Sequence, residues 1–269
     1  MKDKNITIIV TSCKAYADVL SIHEMLYKIY WKECPFRRIL VMDEVDQTKD
    51  YAKTFDEIIE TGNESGKKNH IRVTEGLKKI DTKYVIFLQE DMLLNAKVDT
   101  DLIKNLSSVL EKKHAGAIRL NSMFQTDYQY DENLIAPDII EYPRNMPYRV
   151  SYAPSIWNRD FLYRISSKFE YGADFERLGT QLMRNSDVKM LGYRYTAYPY
   201  MNGILRGKWE IPTVRFLNYH KIVPDYNAHP LMNSKDELKM ALQGYIFNLN
   251  PHLVLNLQTK MKIGVKKKV

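Results

Sequence analysis

Long apolar segments are absent from this sequence. No run of about 18 or more apolar residues occurs in its 269 residues, so we expect no transmembrane helix. The opening residues 1–5 contain no apolar signal region, so we expect no export. Only two cysteines occur, Cys13 and Cys34, and they form neither a metal-binding spacing nor a disulfide framework. Together these absences predict a cytoplasmic protein.

Several well-known catalytic and binding motifs are also missing. No Gly-x-Ser-x-Gly, Walker A or Gly-x-Gly-x-x-Gly sequence occurs, which argues against a hydrolase, a P-loop enzyme and a dinucleotide-binding enzyme. The six histidines show no His-x-x-x-His spacing, so we do not expect a catalytic zinc site. No zinc-knuckle, RNP or helix-turn-helix signature is present, and we expect no nucleic-acid partner.

The net charge of +7 favours an anionic partner. Most basic residues are spread along the chain, but Lys260, Lys262 and Lys266–Lys268 cluster in the C-terminal tail. Two interpretations of the tail stay open: a solvated chain end, or a contact with anionic lipid headgroups. In the second case each basic residue contributes on the order of 1 kcal/mol, and the protein would act at the inner face of the membrane.

Strands and helices alternate in the first part of the chain. Apolar residues make up 45% of the sequence, and no internal repeat or low-complexity linker occurs, which favours one globular domain. Alternation of this kind predicts an α/β domain with right-handed parallel crossovers. The apolar patterns predict strands over 6–10, 38–42, 55–60 and 84–88, and helices over 15–30 and 70–80.

The pattern changes after about residue 96. Residues 121–149 show no clear periodicity, and a loop of that length in a compact domain is usually functional. Asn158 is placed to cap a helix. Elsewhere we predict helices over 100–114, 159–166 and 174–185, strands over 115–120, 148–155 and 189–200, a functional loop over 202–210, and helical or irregular structure from 213 onward.

The most informative segment is the apolar run 84–88 and the two acids that follow it. A continuous apolar run is typical of a strand buried on both faces of a parallel sheet. Glu90 and Asp91 then lie at the carboxyl end of the strand, where open α/β sheets bind their ligands. Carboxylates at such a place hold a divalent cation, Mn²⁺ or Mg²⁺, which in turn holds a phosphate. A solvated acidic turn is the alternative interpretation.

The order of these segments resembles the N-terminal half of a GT-A glycosyltransferase. The resemblance rests on Ile6-Thr-Ile-Ile-Val-Thr-Ser-Cys13, Arg38-Ile-Leu-Val-Met-Asp43 and Val85-Ile-Phe-Leu-Gln-Glu-Asp91. Residues 148–162, 172–176 and 206–209 further resemble bacterial family-2-like glycosyltransferases of surface-polysaccharide biosynthesis, making capsule or lipopolysaccharide. The chain departs from the family at Gln89-Glu90-Asp91, which replaces the usual Asp-x-Asp.

The resemblance implies a GT-A (Rossmann-like) fold with a mixed, mostly parallel central sheet flanked by helices, and a site for a nucleotide-diphosphate sugar. Residues 1–120 would form the nucleotide-binding half, 121–212 the acceptor half, and 213–269 a C-terminal extension with a basic tail. Asp91 would bind the cation, with Glu90 as a second ligand or a ribose contact. The residues expected around the substrates are Thr11, Ser12, Cys13, Tyr16, Asp43, Arg72, Glu90, Trp157, Arg206, Lys208 and Trp209.

Several of these side chains have competing roles. Arg206 and Lys208 would supplement or replace the cation, or lie in a solvated basic loop. Trp209 would stack on a sugar or base, or belong to the core. Thr11 and Ser12 would bind the nucleoside or cap the next helix, and Arg72 would lie across the diphosphate or on the surface.

An inverting transfer needs a general base for the acceptor hydroxyl. The resemblance points to a carboxylate at the start of a helix in the second half. Asp174 fits that position best and Glu176 comes next. An Asp at a helix start also stabilises the helix without any catalysis, and a retaining mechanism would need no such base.

The sequence therefore predicts a glycosyltransferase acting on a nucleotide-sugar donor and a saccharide or lipid-linked saccharide acceptor. Two rival functions remain. A sugar-nucleotide nucleotidyltransferase shares the fold class, but the turn 11–15 lacks the glycine-rich phosphate loop of those enzymes. A non-catalytic sugar- or partner-binding module on a transferase scaffold is consistent with the altered Gln-Glu-Asp sequence.

Overall fold

A computed structural model describes residues 3–62, 68–122, 134–250 and 254. Its strands are β1 (Ile6–Thr11), β2 (Arg37–Met42), β3 (Glu57–Glu60), β4 (Tyr84–Gln89), β5 (Met92–Leu94), β6 (Ala117–Arg119), β7 (Leu134–Ala136), β8 (Ile139–Glu141), β9 (Ser155–Asn158), β10 (Met190–Tyr193), β11 (Tyr200–Asn202), β12 (Ile204–Leu205) and β13 (Lys208–Trp209). Its helices are α1 (Ala17–Tyr30), α2 (Asn69–Lys78), α3 (Thr100–Lys112), α4 (Arg159–Ser166), α5 (Gly172–Met183), α6 (Ile211–Tyr219) and α7 (Ser234–Leu249).

The centre of the described fold is a nine-stranded mixed sheet with strand order β3-β2-β1-β4-β9-β6-β10-β8-β7. β3, β2, β1 and β4 are mutually parallel, and β9 runs against β4 and β6. β10 returns parallel to β6, and β8 opposes it. Seven strands thus point one way, with β8 and β9 opposed to them. The predicted fold class, a mixed and mostly parallel sheet flanked by helices, is confirmed.

Both faces of the sheet are covered by helices. In β4, Ile86 and Leu88 pack on the face covered by α1 and α3. Val85 and Phe87 point to the opposite face, which is covered by α2, α4 and α5. All four side chains are fully buried. The run 84–88 is continuous in apolar residues because successive side chains alternate between two cores.

Helix α2 approaches the sheet at Gly76. A Cβ atom at this position would lie 2.7 Å from Cγ2 of Val41 and 3.3 Å from Cδ1 of Ile9. Contacts shorter than 3 Å do not occur between well-packed carbon atoms, so the glycine permits the close packing of α2. Arg72 lies one helical turn earlier and is buried.

Most predicted element positions are confirmed within a few residues. Asn158 caps α4 as expected, since its side chain accepts a hydrogen bond from the backbone N–H of Phe161 at 2.9 Å. The predicted loop over 202–210 contains a hairpin of β12 and β13. Its turn residues, Arg206 and Gly207, both have positive φ, at 56° and 76°.

The predicted strand over 148–155 is wrong, because only Ser155 to Asn158 form β9. Side chains of α5 bind the backbone that precedes β9. Oγ1 of Thr180 accepts a hydrogen bond from Val150 N–H at 3.2 Å, and Oε1 of Glu176 accepts one from Tyr152 N–H at 3.0 Å. Val150 and Tyr152 are nevertheless buried. Residues 148–154 therefore have the apolar pattern of a strand but do not pair with a neighbouring strand.

The predicted strand over 189–200 is also wrong. It divides into β10 in the main sheet and β11, which pairs with β5 in a separate two-stranded sheet. The Asn121 side chain binds the backbone between them, donating to the carbonyl of Tyr198 at 2.6 Å and accepting from its N–H at 3.1 Å. Of the aperiodic segment 121–149, residues 123–133 lie outside the described part, and residues 134–141 contain β7 and β8.

Candidate active site

Three strand ends meet at one edge of the sheet. β1 lies between β2 and β4, and its last residue, Thr11, is level with Val41 of β2 and Gln89 of β4. The residues that follow these strands are therefore neighbours. Thr11 and Ser12 are buried, as is Asp43. The structure brings together the predicted nucleoside residues and the predicted acidic turn.

Asp43 holds the turn after β1 in place. Its Oδ1 accepts hydrogen bonds from the backbone N–H groups of Lys14, at 2.7 Å, and of Glu44, at 2.9 Å. The N–H of Ser12 donates to the carbonyl of Val41 at 3.0 Å. The two bonds to the Asp43 carboxylate are charge-assisted and so are stronger than neutral hydrogen bonds. The loop 12–14 is thus attached to the end of β2.

Glu90 and Asp91 form the turn between β4 and β5. The N–H of Gly203 donates to the carbonyl of Asp91 at 2.7 Å, which ties the turn to the end of β11. Both side chains keep intermediate exposure at the cleft. Burial raises the pKa of Glu90, and the charge of Asp91 raises it further. Burial also raises the pKa of Asp91.

Cys13 and Tyr16 lie within electrostatic reach of this turn. The pKa of the Cys13 thiol is raised to about 11, mainly by burial; the Glu90 and Asp43 charges act in the same direction and the Arg72 guanidinium opposes them. Burial raises the pKa of Tyr16, and Glu90 and Asp91 add to the effect. Arg72 also lowers the pKa of Glu90. Its charge therefore acts at the cleft rather than on an outer surface.

Two further acids lie near the turn and were not predicted. The Asp18 charge raises the pKa of Glu90, and the Glu210 charge raises that of Asp91. Asp18 is in the first turn of α1, and Glu210 directly precedes α6, with its N–H bonded to the carbonyl of Gly203 at 3.2 Å. Neither position stands out in sequence, because helix starts commonly carry acids.

The start of α1 and the two residues before it contact a residue distant in sequence, His229. Its Nε2 lies 3.5 Å from Oδ1 of Asp18 and 3.2 Å from the carbonyl oxygen of Ala15. Its ring packs on Tyr16 with ring centroids 4.6 Å apart. The segment after α6 therefore supports one wall of the cleft.

The carboxylate of Glu176, on α5, is held in a fixed orientation by two hydrogen bonds. Oε1 accepts a hydrogen bond from Oγ of Ser151 at 2.9 Å, besides that from Tyr152 N–H. Burial raises the pKa of Tyr200; Arg119 lowers it, and Asp91 and Glu176 both raise it. Tyr200 thus lies within electrostatic reach of the acidic turn and of Glu176.

Asp174 has a different environment. It is buried in the first turn of α5, with Oδ1 at 3.7 Å from Nη2 of Arg177. The charge of Glu176, the other predicted base, raises the pKa of Tyr200, as does the charge of Asp91.

Arg119 is a cleft residue that the sequence did not suggest. It ends β6, is almost fully buried, and donates from Nη2 to the carbonyl of Tyr148 at 2.7 Å. Its guanidinium lies over the Tyr142 ring, 5.0 Å from the centroid. Nη1 has no hydrogen-bond partner in the described structure. Its charge lowers the pKa of Tyr200, which places Arg119 within electrostatic reach of that tyrosine.

The structure does not bring Arg206, Lys208, Trp157 or Trp209 to the ligand surface. Nη2 of Arg206 donates to Gln243 at 2.5 Å, and Nζ of Lys208 donates to Asp236 at 2.7 Å, so both cations bind α7. Trp209 is fully buried among residues of α1, β5 and α6. Trp157 is buried against Phe161 and Phe175. Rings enclosed in the core offer no face for stacking on a sugar or base.

A cavity of about 550 Å³ lies elsewhere, between α4 and α5. It is lined by residues such as Phe161, Ile165 and Leu182, and by none of the predicted site residues. Ligand sites are recognised by converging polar groups as well as by volume. The acidic and polar side chains converge at the ends of β1, β2 and β4 rather than at this cavity.

Comparison with known proteins gives likeness of fold only. No protein-family model matches the chain, and no curated protein matches it. Over 81% of its length it is similar to the whole (100%) of CMP:2-keto-3-deoxy-manno-octonic acid synthetase complexed with CTP, with a TM-score of 0.49 and 13% identity. Over 72% of its length it is similar to 57% of the S. aureus TarS 1-349 structure in complex with UDP-GlcNAc, with a TM-score of 0.48 and 15% identity.

A cytidylyltransferase from Leptospira borgpetersenii is similar over 74% of this chain and 78% of its own, with a TM-score of 0.42 and 10% identity. These proteins are similar to the chain in the course of the backbone.

Proposed function

We propose that this chain is a GT-A glycosyltransferase that moves a sugar, with inversion, from a nucleotide-diphosphate sugar to a saccharide or lipid-linked saccharide acceptor. The observation that carries the proposal is the meeting of three strand ends. They place a polar turn, Asp43 and the Glu90–Asp91 pair at one edge of the sheet. Surface-polysaccharide biosynthesis in the cytoplasm is the setting that the sequence resemblance favours.

The donor would lie across the ends of β1 and β2. Thr11, Ser12 and Cys13 supply backbone and hydroxyl groups for the nucleoside, and Asp43 keeps that turn in position. Arg72 faces Glu90 from α2, where a fixed cation would neutralise part of the diphosphate charge. Arg206 and Lys208 are not part of this proposal, because both bind α7.

A divalent cation, Mn²⁺ or Mg²⁺, fits this donor set under one condition. Among the residues that the structure describes, no group of three or more His, Cys, Asp or Glu side chains is arranged to hold a metal ion. Mg²⁺ commonly binds through one or two carboxylates together with substrate phosphates. Asp91 and Glu90 would therefore hold the cation jointly with the diphosphate. When bound, it would stabilise the negative charge of the leaving diphosphate.

The acceptor would enter from the side of Glu176, Tyr200 and Arg119. In the transfer, the acceptor hydroxyl oxygen bonds to the anomeric carbon, and the bond from that carbon to the diphosphate oxygen breaks. The electron pair leaves with the diphosphate, and the hydroxyl proton passes to the general base. Glu176 is the proposed base because its hydrogen bonds orient it and its charge reaches Tyr200. Asp174 is the alternative.

The test is a thermal-shift screen of UDP, GDP, dTDP and CMP, each with Mn²⁺ and with EDTA. A ligand that binds only the native state adds about 2.7 kcal/mol of stability at a hundredfold excess over its dissociation constant. We expect one nucleotide diphosphate to stabilise the protein and the effect to fall in EDTA. The matching nucleotide sugar should then be hydrolysed slowly without acceptor.

Two outcomes would replace the proposal. Stabilisation by a nucleoside triphosphate, with pyrophosphate released in the presence of a sugar phosphate, would indicate a nucleotidyltransferase. Nucleotide binding without any donor hydrolysis or transfer to saccharide acceptors would indicate a binding module. A screen with no response to any nucleotide would remove the transferase assignment.

A further inference from the structure

Helix α7 is attached to the protein by one side only. The Asp236 carboxylate accepts a hydrogen bond from the Lys208 ammonium, and the Gln243 side-chain oxygen accepts one from the Arg206 guanidinium. Phe247 packs on Tyr148 with ring centroids 5.6 Å apart. Because successive residues of an α-helix are rotated by about 100°, positions 236, 240, 243 and 247 lie on one side of the helix. The inner side of α7 is thus partly polar.

The outer side of α7 is apolar. Leu238, Leu242, Tyr245 and Leu249 follow the same i, i+4, i+7, i+11 spacing on the side opposite the attached residues. They are 72%, 56%, 63% and 68% exposed, respectively. We call these four residues the outer stripe. A surface helix in a monomer normally turns its apolar side inward, so the outer stripe indicates a binding surface.

Basic residues accompany the outer stripe. Lys235 and Lys239 are exposed and lie along one edge of it. The chain continues after α7 into the lysine-rich tail, with Lys260, Lys262 and Lys266–Lys268. Among the described helices, none has both the length and the apolar character needed to cross a bilayer. Exposed apolar side chains can enter the headgroup region of a bilayer while neighbouring lysines meet lipid phosphates.

We propose that α7 docks on an anionic phospholipid surface, with the outer stripe inserted among the headgroups and the lysines bound to lipid phosphates. A bilayer satisfies both the apolar and the basic parts of the surface. A second copy of the chain would satisfy the stripe alone, and it would bring together two chains that each carry a net charge of +7. The inference does not depend on the proposed sugar transfer.

The experiment is co-sedimentation of the full chain with vesicles of phosphatidylcholine alone and of phosphatidylcholine with 30% phosphatidylglycerol. We expect binding to the anionic vesicles and little to the neutral ones. The double variant Leu238→Ser, Leu242→Ser should reduce binding at least tenfold. Replacing Lys266, Lys267 and Lys268 by Gln should reduce it on the order of 100-fold, and added salt should act in the same direction.

The control is Leu182→Ser, which changes a leucine of comparable exposure (45%) on α5. It should bind vesicles like the unaltered chain. All substituted leucines are exposed, so each variant should keep its thermal midpoint, which is measured alongside. Equal binding of the stripe variant and the unaltered chain would overturn the proposal. So would a concentration-dependent dimer that the stripe variant abolishes while vesicles fail to bind.

Discussion

Oδ1 of Asp43 accepts a hydrogen bond from the backbone N–H of Lys14 at 2.7 Å, and this bond joins the ends of β1 and β2. The same oxygen accepts from Glu44 N–H. One carboxylate therefore determines where the turn 12–14 lies. The Asp43 side chain would therefore act on the proposed nucleoside site through the backbone of Lys14.

Replacing Asp43 by alanine should weaken nucleotide binding about tenfold. The change removes two charge-assisted bonds at a buried position, which would also lower the free energy of unfolding by about 2 kcal/mol. Titration calorimetry with the nucleotide found in the screen and urea unfolding measure the two effects. Asp43→Asn is the control, since its amide oxygen still accepts; if alanine matches it in nucleotide affinity, the turn does not depend on this bond.

Asp91→Asn should abolish the dependence of nucleotide affinity on Mn²⁺ while the fold is retained. An amide is a weak ligand for a hard cation, and the turn itself is held by the Asp91 carbonyl through Gly203 N–H, which the substitution leaves in place. Affinity is measured with Mn²⁺ and with EDTA. Glu210→Gln, a nearby acid outside the proposed ligand pair, is the matched control. Unchanged Mn²⁺ dependence in Asp91→Asn would rule out Asp91 as a ligand.

Glu176→Gln should keep donor binding and lose transfer by a factor of about 10² to 10⁴, the usual contribution of a general base. Glutamine retains an oxygen that accepts from Tyr152 N–H and Ser151, so the local structure should persist. Donor affinity and the single-turnover transfer rate separate binding from chemistry. Asp174→Asn is run in parallel. Loss of transfer in Asp174→Asn alone would assign the base to Asp174.

The buried ion pair between Glu24 and Arg38 should make stability fall in acid. Nη2 of Arg38 lies 2.5 Å from Oε1 of Glu24, and His23 lies 3.0 Å from the same oxygen. Burial alone would raise the pKa of Glu24, but the His23 hydrogen bond and the Arg38 charge outweigh it and lower the pKa from 4.5 to about 2. A carboxyl group whose pKa is lowered by folding stabilises the folded state at pH values above its unfolded-state pKa.

That contribution should be lost as the pH falls from about 4.5 to about 2, and it amounts to roughly 3 kcal/mol. Urea unfolding between pH 7 and pH 2.5 would measure it. Glu24→Gln lacks the titrating group, so it should be less stable at neutral pH and show a flatter profile over the acid range. Parallel profiles for the two proteins would contradict the assignment.

The central sheet was predictable because its strands carry their information locally. The run 84–88 is apolar at every position, and both faces of β4 are covered. The role of Asn158 as the cap of α4 was also predictable, because its hydrogen-bond partner, Phe161 N–H, lies only three residues away. Local patterns of this kind depend only on neighbouring residues.

The errors came from partners far away in the sequence. Val150 and Tyr152 look like strand residues, but their backbone is bound by Thr180 and Glu176 of α5. Trp209 looked available for stacking, yet it is enclosed by α1, β5 and α6. Composition and spacing do not encode such contacts.

The same holds for the cleft. Glu90, Asp91 and Asp43 directly follow apolar strands, so their convergence could be anticipated from topology. Asp18, Glu210 and Arg119 belong to elements whose positions depend on the whole fold. Their charges change the pKa values of Glu90, Asp91 and Tyr200, respectively.

The contact of Gly76 with the sheet determines where α2 places Arg72. Gly76 allows α2 to pack directly on Val41 and Ile9, and Arg72 extends from the same helix one turn earlier. A larger residue at 76 would lift the helix and carry the guanidinium away from Glu90. The distance between Arg72 and Glu90 thus depends on a residue without a side chain. In the proposed donor site, changes of selectivity would begin with the spacing between α2 and the sheet, before any residue proposed to contact the nucleotide.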